Sequence, residues 1–67
     1  MKITKEITKN GETLIRIRDN DQSAVAETEK VYWEEGYITL MHIDSRYGWE
    51  AVLSKESEAF KFSPIFA

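Results

Sequence analysis

The clearest candidate for acid–base chemistry in this 67-residue chain is its one histidine, His42. Imidazole is the side chain that changes charge nearest neutral pH, and Asp44 follows two positions later in a predicted strand. Residues two apart in a strand share a face, so the two could act as a general base and its orienting carboxylate. Ser45 and Ser54 lack the flanking glycines of a nucleophile elbow, and the chain has no cysteine. A same-face histidine and aspartate are more often a structural pair, so we expect no catalytic residue.

Carboxylates also occur in close pairs, at Asp19/Asp21, Glu34/Glu35 and Glu56/Glu58. A glycosidase needs its two carboxylates across a cleft, and a chain of this length has little room to build one. The segment 19–21 opens like a calcium-binding loop, but Ala24 stands where that loop needs glycine and Lys30 where it needs a bidentate glutamate. Without cysteine there is no thiolate zinc site, and one histidine cannot build a His-rich site. The sequence therefore predicts no metal, no cofactor and no enzymatic activity.

The charges divide the chain into three parts. Residues 1–18 carry five basic and two acidic side chains, residues 19–35 carry one and six, and residues 36–67 carry three and four, for a net charge of −3. The common explanation of such an acidic middle is a solvated helix face. The functional interpretation is a surface that docks on a basic partner protein, or that imitates a nucleic-acid backbone by placing carboxylates where phosphates would lie.

Aromatic residues are the other signal, at 12% of the chain. A core this small cannot readily bury all of them, so we expect an exposed aromatic patch of the kind that anchors protein interfaces. Basic residues neighbour the aromatics only at Arg46 and Lys61, which is sparse for a single-strand binder, and the overall acidity argues against nucleic acid. The residues predicted to contact a partner are Glu27, Glu34, Glu35, Trp33, Tyr47 and Phe66.

The elements that must position these side chains begin with a β-hairpin, formed by residues 1–8 and 12–18. A two-residue turn at Asn10-Gly11 would pair Ile7 with Leu14, but it mixes isoleucines with arginines on both faces. A three-residue loop, 9–11, with Gly11 in a left-handed bulge position, changes the parity. We favour the second register because it gives one buried and one wet face.

In that register Ile3 pairs with Ile17 and Ile7 pairs with Thr13. One face carries Ile3, Ile7, Ile15 and Ile17, with Lys5 as its sole charge. The opposite, solvated face carries Thr4, Glu6, Thr8, Glu12, Leu14 and Arg16.

Residues 22–35 change period and predict a helix. At about 100° per residue, the apolar positions fall in one stripe of about 120°: Ala24, Val25, Thr28, Val31 and Tyr32. Asp21 or Ser23 can cap its start and Gly36 can end it, whereas Trp33 points away from the stripe. The alternative is a hairpin, because residues 31–33 favour strands and residues 34–36 can form a turn.

Two further strands are predicted at 37–44 and 49–54, with Ile43 opposite Trp49. That pairing places Tyr37, Thr39, Met41, Ile43, Trp49, Ala51 and Leu53 on one face. It places Ile38, Leu40, His42, Glu50 and Val52 on the other. Both faces are apolar, so this hairpin should be central in the sheet or covered on both sides. The apolar tail, 59–67, predicts a last strand up to Ser63, which Pro64 would stop.

The predicted fold is therefore α+β, in the order β-β-α-β-β with a short last strand, as a single domain over residues 1–67. An all-β meander or small barrel is the alternative. The longest uncharged apolar run, residues 37–43, is too short to span a bilayer, and the N-terminus has no apolar signal region. We expect a cytoplasmic protein without a membrane partner.

Three functional hypotheses follow. The first is a small non-enzymatic protein-binding module, an inhibitor or adaptor that docks on a basic partner through the acidic helix region and exposed aromatics. The second is a weak nucleic-acid binder that uses the basic hairpin residues Lys2, Lys5, Arg16 and Arg18. The third is a homo-oligomer that buries its apolar C-terminal segment by strand addition.

Overall fold

Four strands and one helix make up the described part of the chain, which in this computed structural model comprises residues 1–9, 11–46 and 48–55. The elements are β1 (Lys2–Ile7), β2 (Thr13–Asp19), α1 (Gln22–Glu34), β3 (Tyr37–Ser45) and β4 (Gly48–Lys55). The strands form one open antiparallel sheet in the order β1-β2-β4-β3. The predicted α+β fold is confirmed, and the all-β alternative is wrong. The predicted last strand and the aromatics at 60, 62 and 66 lie outside the described residues.

The first hairpin has the predicted three-residue loop. Ile3 pairs with Ile17 and Ile7 with Thr13, and Gly11 has a φ of 79°. The Gly11 N–H donates to the Thr8 carbonyl at 3.0 Å, and the Thr8 N–H donates to the Glu12 carbonyl at 2.9 Å. A left-handed glycine at this position adds the residue that sets the parity of β2 against β1.

The helix begins and ends at the polar residues that the sequence indicates. Asp21 is the N-cap, and its side chain accepts a hydrogen bond of 2.8 Å from the Ser23 N–H. Gly36 follows the C-cap, with a φ of 95° that side chains with a Cβ rarely adopt. The helix prediction for residues 22–35 is confirmed and the hairpin alternative is wrong. Within the described chain no helix is long and apolar enough to cross a membrane.

The core lies between α1 and one face of the sheet. β2 and β3 are both antiparallel to β4, so they are parallel to each other, and α1 is the crossover that carries the chain past β4. The buried cluster consists of Ile15, Ile17, Val25, Tyr37, Ala51 and Leu53, with Tyr32 and Trp49 packed against it. Tyr32 of α1 meets Tyr37 edge to face, with ring centroids 5.7 Å apart, which fixes the C-terminal half of the helix on the sheet.

The predicted pairing of β3 with β4 holds up to Thr39 and is wrong by one residue from Met41 onward. The register shifts between Thr39 and Met41, so Ile43 pairs with Glu50 instead of Trp49. A bulge of this kind adds one unpaired residue and reverses which side chains face each side of the sheet. As a result Met41 and Ile43 lie on the face away from α1, and His42 lies on the helix face.

The helix does not reach β1. It packs on β2, β3 and β4 only, and Ile3 and Ile7 are 45% and 75% exposed. The prediction that this face of the hairpin is buried therefore holds for Ile15 and Ile17 and fails for β1. Val31, placed in the buried stripe, is also 56% exposed, whereas Leu14, placed on the wet face, is buried.

Gly48 starts β4 where the strand passes the end of β2. Its φ is 127°, and a Cβ there would lie 2.3 Å from the Asp19 carbonyl oxygen and 2.8 Å from Asn20 Oδ1. Glycine is thus required both by the backbone conformation and by the close approach of a neighbouring main chain.

Gly48→Ala should therefore cost at least about 3 kcal/mol of unfolding free energy, because it adds a backbone collision to the strain of a positive φ. Gly11→Ala is the matched control. Its φ is also positive, but a Cβ there meets nothing within 4 Å, so we expect a loss of only about 1–2 kcal/mol. Urea denaturation followed by circular dichroism measures both. Equal losses would contradict the close approach at Gly48.

Candidate functional site

The six acidic residues of the segment 19–35 fall into two groups, and the first group makes internal contacts. Asp19 lies 3.6 Å from the Met1 amino group and accepts a hydrogen bond from the Asp21 N–H at 2.9 Å. Asp21 caps α1, and Glu29 contacts His42 Nε2 on β3. These three carboxylates are accounted for by the fold itself.

The second group consists of Glu27, Glu34 and Glu35. All three are exposed, and none forms an ion pair with any other residue that the structure describes. They are the three carboxylates that the sequence selected as a partner-binding surface. The structure thus separates the acidic residues that hold the fold from those that face solvent.

The position of Glu34 and Glu35 is electrostatically unfavourable for the helix. Glu34 is the last residue of α1 and Glu35 is its C-cap, and the last turn contains no basic residue. The C-terminal end of a helix carries partial negative charge, so each carboxylate near it costs about 0.3–1 kcal/mol when exposed. Helix stability therefore does not explain why both positions carry an acid.

Val31 lies among these carboxylates. Val31 and Glu34 follow Glu27 by four and seven residues, so the three side chains share one helix face. Val31, Glu27 and Glu35 also line a shallow depression on α1, together with Thr28 and Tyr32. We call Glu27, Val31, Glu34 and Glu35 the acidic surface of α1. Val31 was predicted to be buried, but it lies at the edge of the apolar stripe, where the reach of the sheet decides burial.

Trp33 does not belong to this surface. It is 58% exposed, but it lies about 120° around the helix from Glu27, on the flank where Glu29 meets β3. Among the described aromatic side chains it alone is exposed, because Tyr37 is buried and Tyr32 and Trp49 are partly buried. Tyr47 and Phe66, the other predicted contacts, lie outside the described residues.

The basic residues of the hairpin alternate with acids instead of forming a cationic patch. Lys2, Arg16 and Arg18 share the face away from α1, and Lys5 lies on the opposite face. Arg18 donates to Glu50 at 2.9 Å, where the glutamate is 7% exposed. Arg16 lies 3.6 Å from the Glu6 carboxylate, so both arginines have an acidic neighbour on that face.

His42 has a partner that its own strand does not supply. The bulge in β3 turns the imidazole toward α1, where its Nε2 contacts Glu29 Oε2, an atom otherwise buried without a hydrogen bond. The contact is an ion pair only when the imidazole is protonated, and it joins α1 to the edge strand. It resembles a structural bridge more than an acid–base pair. In the described part of the chain no three metal-ligating side chains cluster.

Comparison of the chain with protein-family models, with curated proteins and with solved structures finds no match.

Replacing both Glu34 and Glu35 by glutamine should stabilise the protein by about 0.5–2 kcal/mol, because the amides relieve the repulsion at the negative end of α1. Glu27→Gln is the control, since position 27 lies near the middle of the helix and should change stability by less than about 0.5 kcal/mol. Urea denaturation at low ionic strength measures the three proteins. A double variant no more stable than the wild type would show that the carboxylates are stabilised by contacts elsewhere.

Proposed function

We propose that this chain is a non-enzymatic protein-binding module that docks on a basic surface of another protein through the acidic surface of α1. The observation that carries the proposal is the position of Glu34 and Glu35. Both face solvent without an ion pair to another described residue, at a helix end where they reduce stability. Residues that weaken a fold locally are expected at functional surfaces.

The arrangement of the surface suits an encounter guided by charge. Three carboxylates outnumber the exposed Lys30 on this side of the helix. The net negative potential accelerates association with a positive surface and disfavours acidic partners. Val31, exposed between them, offers an apolar contact that becomes desolvated on docking. In this proposal the carboxylates select a positively charged partner, and Val31 packs against it.

Trp33 has a secondary role. Because it lies on the other flank of α1, a partner that contacts both Trp33 and Glu27 must wrap around the exposed side of the helix. An exposed tryptophan is a frequent anchor of interfaces. We assign the main share of the binding free energy to the carboxylates and a smaller share to Trp33.

An inhibitor or adaptor acting in the cytoplasm is the form of this function that we propose, and its cysteine-free composition fits that compartment. One version is imitation of a nucleic-acid backbone on a basic, nucleic-acid-binding protein. The basic residues of the hairpin do not support direct nucleic-acid binding, because Arg16 and Arg18 have carboxylates beside them.

The test starts with affinity capture from cells of the native source, using the full chain, and continues with the purified partner. The Glu34→Gln/Glu35→Gln variant should weaken binding about tenfold or more, since two carboxylates that face the partner are lost. Glu12→Gln, which removes a carboxylate outside α1, is the control and should bind like the wild type. Equal binding by all three proteins would overturn the proposal.

Ionic strength separates the charge-driven interface from an aromatic one. Raising the salt from about 50 to about 500 mM should weaken wild-type binding at least about tenfold, because exposed charges are screened beyond a few ångströms at high salt. Neutralising Glu27, Glu34 and Glu35 together should abolish binding, whereas Trp33→Ala should leave part of the binding affinity. Binding that is insensitive to salt and lost with Trp33→Ala would exclude the charge-driven interface.

A further inference from the structure

β1 is an edge strand with an open outer edge. All six of its residues are exposed, its register against β2 is unbroken, and it contains no proline. Within the described ranges no strand pairs with the side of β1 that points away from β2. Such an edge presents a row of backbone donors and acceptors that another strand can use.

The backbone groups that point outward can be identified. The Thr8 N–H donates to the Glu12 carbonyl across the hairpin. Hydrogen bonding alternates along an antiparallel strand, so Thr4 and Glu6 also point their backbone groups at β2. The N–H and C=O groups of Ile3, Lys5 and Ile7 therefore point away from the sheet, available to a new strand.

Exposed apolar side chains flank the same edge. Met1, Ile3 and Ile7 are 63%, 45% and 75% exposed, and Val31 of α1 is 56% exposed. The Thr28 hydroxyl lies 3.3 Å from the Met1 sulfur, which places this flank of α1 beside the start of β1. Four of the five large hydrophobic residues exposed in the described chain thus lie on one side of the molecule, and only Trp33 does not.

We infer that the outer edge of β1 pairs with β1 of a second copy of this chain, antiparallel, with Thr4 opposite Thr4 on the two-fold axis. A two-fold interface brings the same surface of each copy together, so it must be complementary to itself. Centring the pair on Thr4 places Lys2 of each copy opposite Glu6 of the other copy. Opposite charges directly across two strands stabilise the pairing.

A register centred on Lys5 would also bring the outward-pointing backbone groups together, but it lacks this charge complementarity. Centring the pair on Lys5 would place two ammonium groups directly opposite each other, which destabilises strand pairing. In the Thr4 register Lys5 lies opposite Ile3 of the second copy, where its aliphatic stem can cover the isoleucine. Charge therefore favours the Thr4 register over the Lys5 register, and the self-complementary Lys2–Glu6 pairs fit a second copy of this chain.

The resulting dimer has one sheet of eight strands with both α1 helices on the same face. Pairing satisfies the outward backbone groups of Ile3 and Lys5 and removes one open edge from each copy. The contact involves one short strand of each copy, so we expect a weak dimer whose population depends on concentration. Glu34 and Glu35 are not part of it, so this inference does not depend on the proposed function.

Single cysteines test the register directly, because the chain has none of its own. In the Thr4 register Thr4→Cys places two thiols in a non-hydrogen-bonded pair with Cα atoms about 4.5 Å apart, within the range of a disulfide. Lys5→Cys places the two thiols at diagonal positions with Cα atoms about 7–8 Å apart, which is too far for a disulfide. Lys9→Cys, in the turn and away from the axis, reports random collisions.

Under mild oxidation of the full chain, Thr4→Cys should form the interchain disulfide at least about tenfold faster than Lys9→Cys or Lys5→Cys, because pairing raises the effective thiol concentration. Equal rates for Thr4→Cys and Lys9→Cys would overturn the inference. Faster cross-linking of Lys5→Cys than of Thr4→Cys would overturn it as well, since it would place Lys5 on the axis.

Sedimentation of the chain without cysteine is the second measurement. The wild type should show a concentration-dependent dimer, and Lys5→Pro should be monomeric at the same concentration, because proline removes an outward N–H that β2 does not use. Circular dichroism should show that Lys5→Pro is folded. A wild type that stays monomeric up to about 1 mM, or a folded Lys5→Pro that dimerises as the wild type does, would refute the pairing of β1.

Discussion

The width of one helix is the constraint on which the rest of this structure depends. An α-helix with its side chains is about 10–12 Å across, whereas four strands spaced about 4.8 Å apart span more than that. α1 lies over β2, β4 and β3, where the buried cluster forms, and leaves β1 uncovered. The exposure of Ile3 and Ile7 follows from that shortfall, as does the depression beside Val31. The exposed face and outer edge of β1 are thus the part of the sheet that a single helix cannot cover.

Local chemistry in the sequence was sufficient for most of the fold. Gly11 fixed the parity of the first hairpin because only one loop length put its isoleucines on one face. Asp21 and Gly36 marked the ends of α1 because capping is decided within a few residues. Glu27 and Glu34 could be selected because helical periodicity places them away from the apolar stripe, whereas Glu35 was selected from the acidic charge of residues 19–35.

What the sequence could not supply depended on distant parts of the chain. No glycine or proline marks the bulge near Leu40, which becomes visible only when β3 is paired with β4. The contact between His42 and Glu29 follows from that bulge and from the position of α1 over the sheet. Alternation in β1 showed which side chains share a face, but it carries no information on whether another layer reaches them.

The two open surfaces lie on the same side of the molecule. The contact of Thr28 with Met1 ties the flank of α1 that carries Glu27 and Glu35 to the start of β1. Pairing of β1 about a two-fold axis would therefore place two acidic surfaces on one face of a continuous sheet. A basic partner with repeated sites would then bind both surfaces with an avidity that neither copy has alone. Because α1 leaves β1 uncovered, β1 is free to pair with a second copy. The two-fold axis of that pair would then give both acidic surfaces the same orientation.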